Sequence, residues 1–253
     1  MLPDHYITPD WPAPATVKAA ITTRAGGQST GGYSLFNLAT HVGDSSEAVL
    51  ANRRQLCIEL GLSVEPQWLE QVHGVKVVEA QGDNRVRTAD GAFTTAQGLP
   101  CAVLTADCLP ILLCDRSGTQ VAAVHAGWRS LAGGIVPRAL ARFKAPSGQL
   151  MAWLGPAISV NHFEVGVDVI EAFFDSATSV SHSDAIAAAI RPGGRPMHFY
   201  ADLYQLARAA LVECGVAAVY GGGECTYTDA ERFYSYRRDG AVSGRMASLI
   251  WLA

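Results

Sequence analysis

No stretch of this 253-residue sequence is long and apolar enough to span a bilayer. The richest apolar run, Leu99 to Cys114, is interrupted by Pro100, Asp107 and Pro110. Charge is sparse as well: Asp, Glu, Lys and Arg make up 17% of the chain, the net charge is −4, and no basic run occurs. These features argue against a nucleic-acid or membrane partner and favour a small-molecule substrate. The Gly221-Gly-Gly-Glu-Cys225 segment lacks the glycine spacing of a dinucleotide-binding turn, and there is no phosphate-binding P-loop, so nicotinamide and nucleoside-triphosphate chemistry lose support. The first eleven residues carry neither a basic segment nor a continuous apolar one, which predicts a cytoplasmic protein without a secretory signal. Six cysteines are too few for the dense disulfide framework of a small secreted domain, and most are expected to be reduced and buried.

What the chain does have is core material, with 49% apolar residues and no linker, internal repeat or low-complexity segment. Strands are expected at Val17–Thr23, Gln67–Val72, Val75–Ala80, Cys101–Thr105, Ile111–Cys114, Gln120–His125, Leu150–Leu154, Val216–Tyr220 and Met246–Leu252. A helix capped by Asp44, Ser45 or Ser46 runs through Leu60 to a stop at Gly61. Further helices are expected at 130–143, where Gly133 and Gly134 weaken the first turn, and at 167–174, 183–190 and 202–214. Strands and helices mix without strict βαβ alternation. The expected fold is therefore α+β (mixed α/β), with mixed β-sheets flanked by helices in one compact domain over residues 1–253 and an irregular segment at 1–16.

Three residues stand out for chemistry: His73 in Gln71-Val-His-Gly74, Cys108 in Thr105-Ala-Asp-Cys-Leu-Pro110, and His125 in Ala123-Val-His-Ala-Gly-Trp128. Each ends or interrupts an apolar run just before turn-forming residues. If the fold gathers them, two imidazoles and a thiolate make a three-ligand metal site with a fourth position open, as in catalytic zinc. Their spacings, 35 and 17 positions, resemble no zinc finger or ribbon. Taken singly, a buried core cysteine and backbone-bonded histidines explain them equally well. Two other chemistries remain open. Cys108 and His125 could be a thiol nucleophile and its base, or the set could hold Cu2+ in a blue-copper arrangement with Met151, Met197 or Met246 as axial ligand.

The segments Thr23-Arg-Ala-Gly-Gly27, Phe36-Asn-Leu38, Gly43-Asp44, Asn52-Arg53, Gln71-Val-His-Gly74, Ala89-Asp-Gly91, Thr105-Ala-Asp-Cys-Leu-Pro110, Val124-His-Ala-Gly-Trp-Arg129, Leu154-Gly-Pro-Ala-Ile158, Cys225-Thr226, Phe233-Tyr-Ser-Tyr-Arg-Arg238 and Gly244-Arg245 together resemble the YfiH/YlmD family. That family is also called the laccase-like multicopper polyphenol oxidoreductase or peptidoglycan-editing-factor family. Ser130 departs from it, standing where a glycine commonly follows the arginine.

The resemblance implies Zn2+ held by His73, Cys108 and His125. It also implies phosphorolysis of adenosine, guanosine, inosine and methylthioadenosine, with adenosine deamination as a second activity, so the partners are a purine nucleoside and phosphate. One open zinc site suits both reactions, by lowering the pKa of a water for deamination or by orienting phosphate for phosphorolysis. Asp107 is a candidate proton carrier or a turn-stabilising residue, and Arg24 and Arg129 are candidate phosphate or ribose ligands or else loop anchors. The motif at 233–238 could stack a purine and hold an anion, or pack in the core. Cys225 either approaches the site or is simply buried.

Other activities also stay open at this stage. They are a cysteine-type or zinc hydrolase acting on peptidoglycan precursors, a copper-dependent polyphenol oxidase, and a non-enzymatic structural-zinc or nucleoside-binding protein. A multicopper oxidase needs several copper centres, whereas His5, His41, His162, His182 and His198 are scattered and share no motif.

Overall fold

The computed structural model describes residues 3–253. Its elements, in chain order, begin with β1 (Tyr6–Ile7), β2 (Val17–Thr22), α1 (Ser46–Glu59), β3 (Leu69–Glu70), β4 (Val77–Glu79), β5 (Arg87–Thr88) and β6 (Gly91–Thr94). The central strands β7 (Cys101–Thr105), β8 (Leu109–Asp115) and β9 (Val121–Ala126) follow, then α2 (Trp128–Ala132), α3 (Ile135–Leu140), β10 (Leu150–Leu154) and β11 (Glu164–Gly166). The last part holds α4 (Val167–Asp175), α5 (Val180–Ala188), β12 (Ile190–Pro192), β13 (His198–Ala201), α6 (Leu203–Glu213), β14 (Ala218–Gly221), α7 (Tyr236–Asp239) and β15 (Met246–Leu252).

Two large sheets carry the architecture, a mixed one of six strands and an antiparallel one of four. One is ordered β14-β10-β8-β9-β6-β4 and the other β1-β2-β15-β7. The strands β8 and β9 bury both faces, which is why their sequences read as unbroken apolar runs rather than alternating ones. Leu109, Ile111 and Leu113 pack toward Leu131, Ile135, Val169, Phe173 and Leu206 of the helical layer. Leu112 and Cys114 face the second sheet, meeting Cys101, Val103, Ile250 and Leu252. The outer face of that sheet packs Ala102, Leu104 and Leu249 against Phe36, Leu56 and Leu60. The resulting order of layers is helices, six-stranded sheet, four-stranded sheet, and α1.

The expected helix over 130–143 is two helices, because Gly134 adopts a left-handed φ of +86° between α2 and α3. Within the segment expected to be irregular, Tyr6–Ile7 pairs with β2. A three-stranded sheet, β11-β13-β12, lies where the sequence pattern showed mainly helices. No helix among the described residues is long and apolar enough to cross a membrane.

Ser130, the departure noted above, is fully buried in α2 and its hydroxyl finds no hydrogen-bond partner. Leaving such a group unpaired costs about 1–3 kcal/mol. Ser130→Ala is therefore expected to stabilise the fold by about 1 kcal/mol, a shift that chemical denaturation will register; a destabilised variant would mean that the hydroxyl is satisfied.

Candidate metal centre and its cavity

The 17-residue interval between Cys108 and His125 is closed by a hairpin. The strands β8 and β9 pair antiparallel, Leu109 with Ala126 and Pro110 with His125, and one further step in that register sets Cys108 opposite Gly127. His73 arrives from a separate loop. Its ligating atom and those of Cys108 and His125 all lie within 4.8 Å of one another, and this is the one such metal-capable group of His, Cys, Asp or Glu among the described residues. His125 is buried, Cys108 half-buried and His73 exposed, a gradient that runs from the sheet outward to solvent.

One carboxylate builds most of this arrangement. Asp90, fully buried just ahead of β6, accepts hydrogen bonds from three consecutive backbone amides: Val72 at 3.3 Å, His73 at 2.9 Å and Gly74 at 2.7 Å. These bonds hold His73 at a left-handed φ of 57°, a conformation that a non-glycine residue keeps only when its surroundings impose it. Asp90 also lies 2.9 Å from Nδ1 of His125, which fixes the ring and leaves Nε2 to face the other two donors. Burial disfavours the charged form of Asp90, yet the bonds from His125 and Gly74 outweigh it and hold the carboxyl below its usual range.

The two imidazoles are tuned in opposite directions. Burial would lower the His125 pKa, but the charge on the Cys108 sulfur and the bond to Asp90 raise it to about 9. Burial and the charge of His125 push His73 below its ordinary value, so it stays a neutral donor.

Gly127 completes the cradle. Its φ of −58° suits any residue, so its requirement is for space: a Cβ there would lie 3.0 Å from Cys108 Sγ and 3.0 Å from His73 Nδ1. Two imidazole nitrogens and a thiol sulfur converging beside a position with no room for a side chain fit a borderline-soft divalent ion. Gly127→Ala is expected to weaken metal binding roughly tenfold, as changes just outside a ligand set do, with a smaller loss of stability in the metal-free protein, where His73 and Cys108 must give by a few tenths of an ångström. Chelator competition read beside a melting curve checks both.

The three donors line a cavity of about 510 Å3, whose wall also includes His41, Trp128, Arg129, Phe163, Tyr236, Arg237 and Arg245. Gln71 lines it too, with both ends of its amide bonded to Leu104. Asp107 reaches the wall at a left-handed φ of 86°, but its carboxylate is occupied: it accepts from Thr226 Oγ1 at 2.6 Å, Ser235 Oγ at 3.0 Å and the Arg237 amide at 2.7 Å. That geometry ties the 226–237 segment to the site.

Arg129 lies on the wall, whereas Arg24 does not. The Arg24 guanidinium donates to the carbonyls of Ser34 and Ala230 and lies over the Tyr234 ring, so it anchors loops. In the 233–238 motif Phe233 and Tyr234 are fully buried, Arg238 grips the carbonyls of Thr226, Tyr227 and Phe233, and only Tyr236 and Arg237 reach the cavity. Cys225 Sγ accepts bonds from the Ser159 amide and Thr228 Oγ1, outside the cavity wall. Met151, Met197 and Met246 also lie off the wall, so none stands as an axial ligand.

Sequence reasoning missed the contacts of Asp90 and the presence of His41 and Arg245 in the cavity wall. Asp90 and Arg245 fall within the segments Ala89-Asp-Gly91 and Gly244-Arg245, but nothing local indicates which ring or loop such a residue will meet.

The family described as multi-copper polyphenol oxidoreductase laccase matches residues 18–253. The chain is 49% identical to a purine nucleoside phosphorylase of Pseudomonas aeruginosa, over 98% of each chain. It is 45% identical to the purine nucleoside phosphorylase YfiH of Escherichia coli K12, covering 97% of this chain and 98% of the other. A crystal structure of a Neisseria meningitidis protein superposes with a TM-score of 0.92 at 49% identity, over 98% of this chain and 99% of that one. YlmD from Geobacillus stearothermophilus gives 0.88 at 29% identity, over 99% of each. With matches running nearly end to end in both sequence and structure, the chain belongs to the YfiH/YlmD, laccase-like family.

Proposed function

We propose that this protein is a zinc-dependent purine nucleoside phosphorylase acting on adenosine, guanosine, inosine and methylthioadenosine in the cytoplasm, with adenosine deamination as a second activity. The observation that carries this reading is the His73, Cys108 and His125 cluster in the wall of a cavity large enough for a nucleoside. Relatives that match nearly the whole chain bear the phosphorylase name, which supports it.

Zinc held by these residues would supply Lewis acidity and a fixed positive charge beside the reacting sugar or base. The side chains do the rest. Phe163, Trp128 and Tyr236 offer apolar and aromatic surface to a purine, while the arginines on the wall offer donors to an anion. A bare thiol–imidazole pair fits less well, because His73 is aimed at the same point as Cys108 and His125, and a two-residue nucleophile and base would not use it. A multicopper oxidase also fits poorly, since the described residues offer one metal-capable group and that chemistry needs several copper centres.

The test is to incubate metal-quantified protein with adenosine, with and without phosphate, and identify the products. Adenine with ribose 1-phosphate supports phosphorolysis, and inosine supports deamination. No turnover by the zinc-loaded protein, or undiminished turnover in Cys108→Ala, would overturn the reading.

A further inference from the structure

The cavity wall carries more positive charge than the protein itself neutralises. Arg85, Arg87, Arg195, Arg232 and Arg238 each pair with a carboxylate, whereas Arg129, Arg237 and Arg245 pair with none among the described residues. Asp107 is the one carboxylate on the wall, and its oxygens are already taken by Thr226, Ser235 and the Arg237 amide. Unpaired guanidinium groups converging in a cavity call for an anion from outside.

The three arginines are not equivalent. Arg237 spends Nη1 on the carbonyls of His162 and Glu164, and it lies over the Phe163 ring. Arg129 lies over the Trp128 ring at 4.2 Å, and its guanidinium donates no hydrogen bond within the protein among the described residues. Arg245 is half-buried, and its position is set before any ligand arrives. Its backbone amide donates to Asn37 Oδ1 at 3.0 Å, and its Nη1 donates to the carbonyls of Ser243 and Gly244, leaving Nε and Nη2 without a hydrogen-bond partner among the described residues. Arg129 and Arg245 line the same cavity as His73 and Cys108. His41 lies beside Arg245, and burial together with that neighbouring charge keeps its ring neutral and able to donate one hydrogen bond.

We propose that Arg245 and Arg129, together with His41, form the subsite for a free phosphate dianion next to the His73, Cys108 and His125 cluster. The identification of the anion as free phosphate rests on the phosphorolysis reading above. Arg245 supplies preorganised donors from the β15 side, and Arg129 supplies them from the first turn of α2. A dianion seated there neutralises two cations that have no carboxylate partner among the described residues. Arg24, which the sequence pattern also nominated for phosphate, is replaced in that role by Arg245.

The experiment titrates inorganic phosphate, and separately adenosine 5′-monophosphate, into metal-quantified protein by calorimetry in phosphate-free buffer. Steady-state KM values for phosphate and adenosine accompany it. In Arg245→Gln the phosphate dissociation constant and KM are expected to rise roughly ten- to a hundredfold, the loss typical of a charge-assisted hydrogen bond, with the adenosine KM nearly unchanged. Arg129→Gln follows in the same direction, Arg245→Lys recovers part of the loss by restoring the charge, and the exposed Arg85→Gln binds as wild type.

Phosphate binding that is indifferent to both Arg245→Gln and Arg129→Gln overturns the subsite, even if phosphorolysis stands. Arginine-dependent phosphate binding in a protein that cleaves no nucleoside keeps the subsite and overturns the phosphorylase reading. Arginine dependence confined to the monophosphate, with free phosphate unaffected, also overturns the proposal. Melting temperatures of the variants separate a lost ligand contact from a lost fold.

Discussion

Asp90→Asn lowers metal affinity roughly ten- to a hundredfold, the range seen when a partner of metal-bound histidine is removed. The substitution keeps shape and volume, so the loss comes from hydrogen-bond polarity. Oδ1 receives the His73 amide and lies against His125 Nδ1, while Oδ2 receives the Gly74 and Val72 amides. An asparagine has one oxygen, and whichever way it is placed its NH2 group confronts donors on the other side. Either the left-handed turn at His73 loosens or the His125 ring loses its orientation. Competition with a chromogenic chelator measures the effect, and wild-type affinity in the variant would refute the role given to Asp90. Acid acts on the same group. Because the folded carboxyl titrates below its ordinary 3.8, its contribution to stability is present above that value and is lost as pH falls through the lower folded one.

The second large effect is the pH dependence of metal uptake. With a folded pKa near 9, His125 is protonated at neutral pH in the metal-free protein. Because this value is raised above the ordinary 6.5, the protonated ring stabilises the metal-free fold fully below pH 6.5, and that contribution fades as pH rises through about 9. A metal ion needs the neutral ring and displaces the proton. Apparent affinity should therefore climb at least about tenfold per pH unit from 7 toward 9, with close to one proton released from His125 per ion bound at pH 7 in addition to any displaced from Cys108. Chelator competition at stepped pH, paired with proton release in weak buffer, tests both parts. A flat affinity between pH 7 and 9 would show that Asp90 and Cys108 do not hold the proton on His125.

Much of the fold was legible because the apolar runs are long and clearly bounded. Cys101–Thr105, Leu150–Leu154 and Met246–Leu252 are strands at the expected residues, and α1 starts after Ser45, whose side chain accepts from the Ala48 amide. What escaped was short or weakly patterned. The strand β6 begins Gly91-Ala92 and lacks β-branched residues until Thr94, while β11, β12 and β13 have three, three and four residues and carry charge, proline or histidine. The three residues that the fold gathers into one metal-capable group were singled out from their settings, yet the groups that position them were not. Asp90 acts on a loop 16 to 18 residues before it and on a ring 35 residues after it, links that arise only when β6 pairs with β9.

The hairpin of β8 and β9 also says where this chain tolerates insertion and deletion. Cys108 and His125 are set by counting along paired strands, not along the chain, so residues added to the 116–119 turn between the strands leave both donors in place. Removing one residue from either strand instead turns its donor to the opposite face of the sheet. Relatives with a longer or shorter turn can keep the same centre at a different sequence spacing. The interval between these two ligands is thus a poor key for finding such proteins, and the strand register that sets Cys108 across from a glycine is a better one.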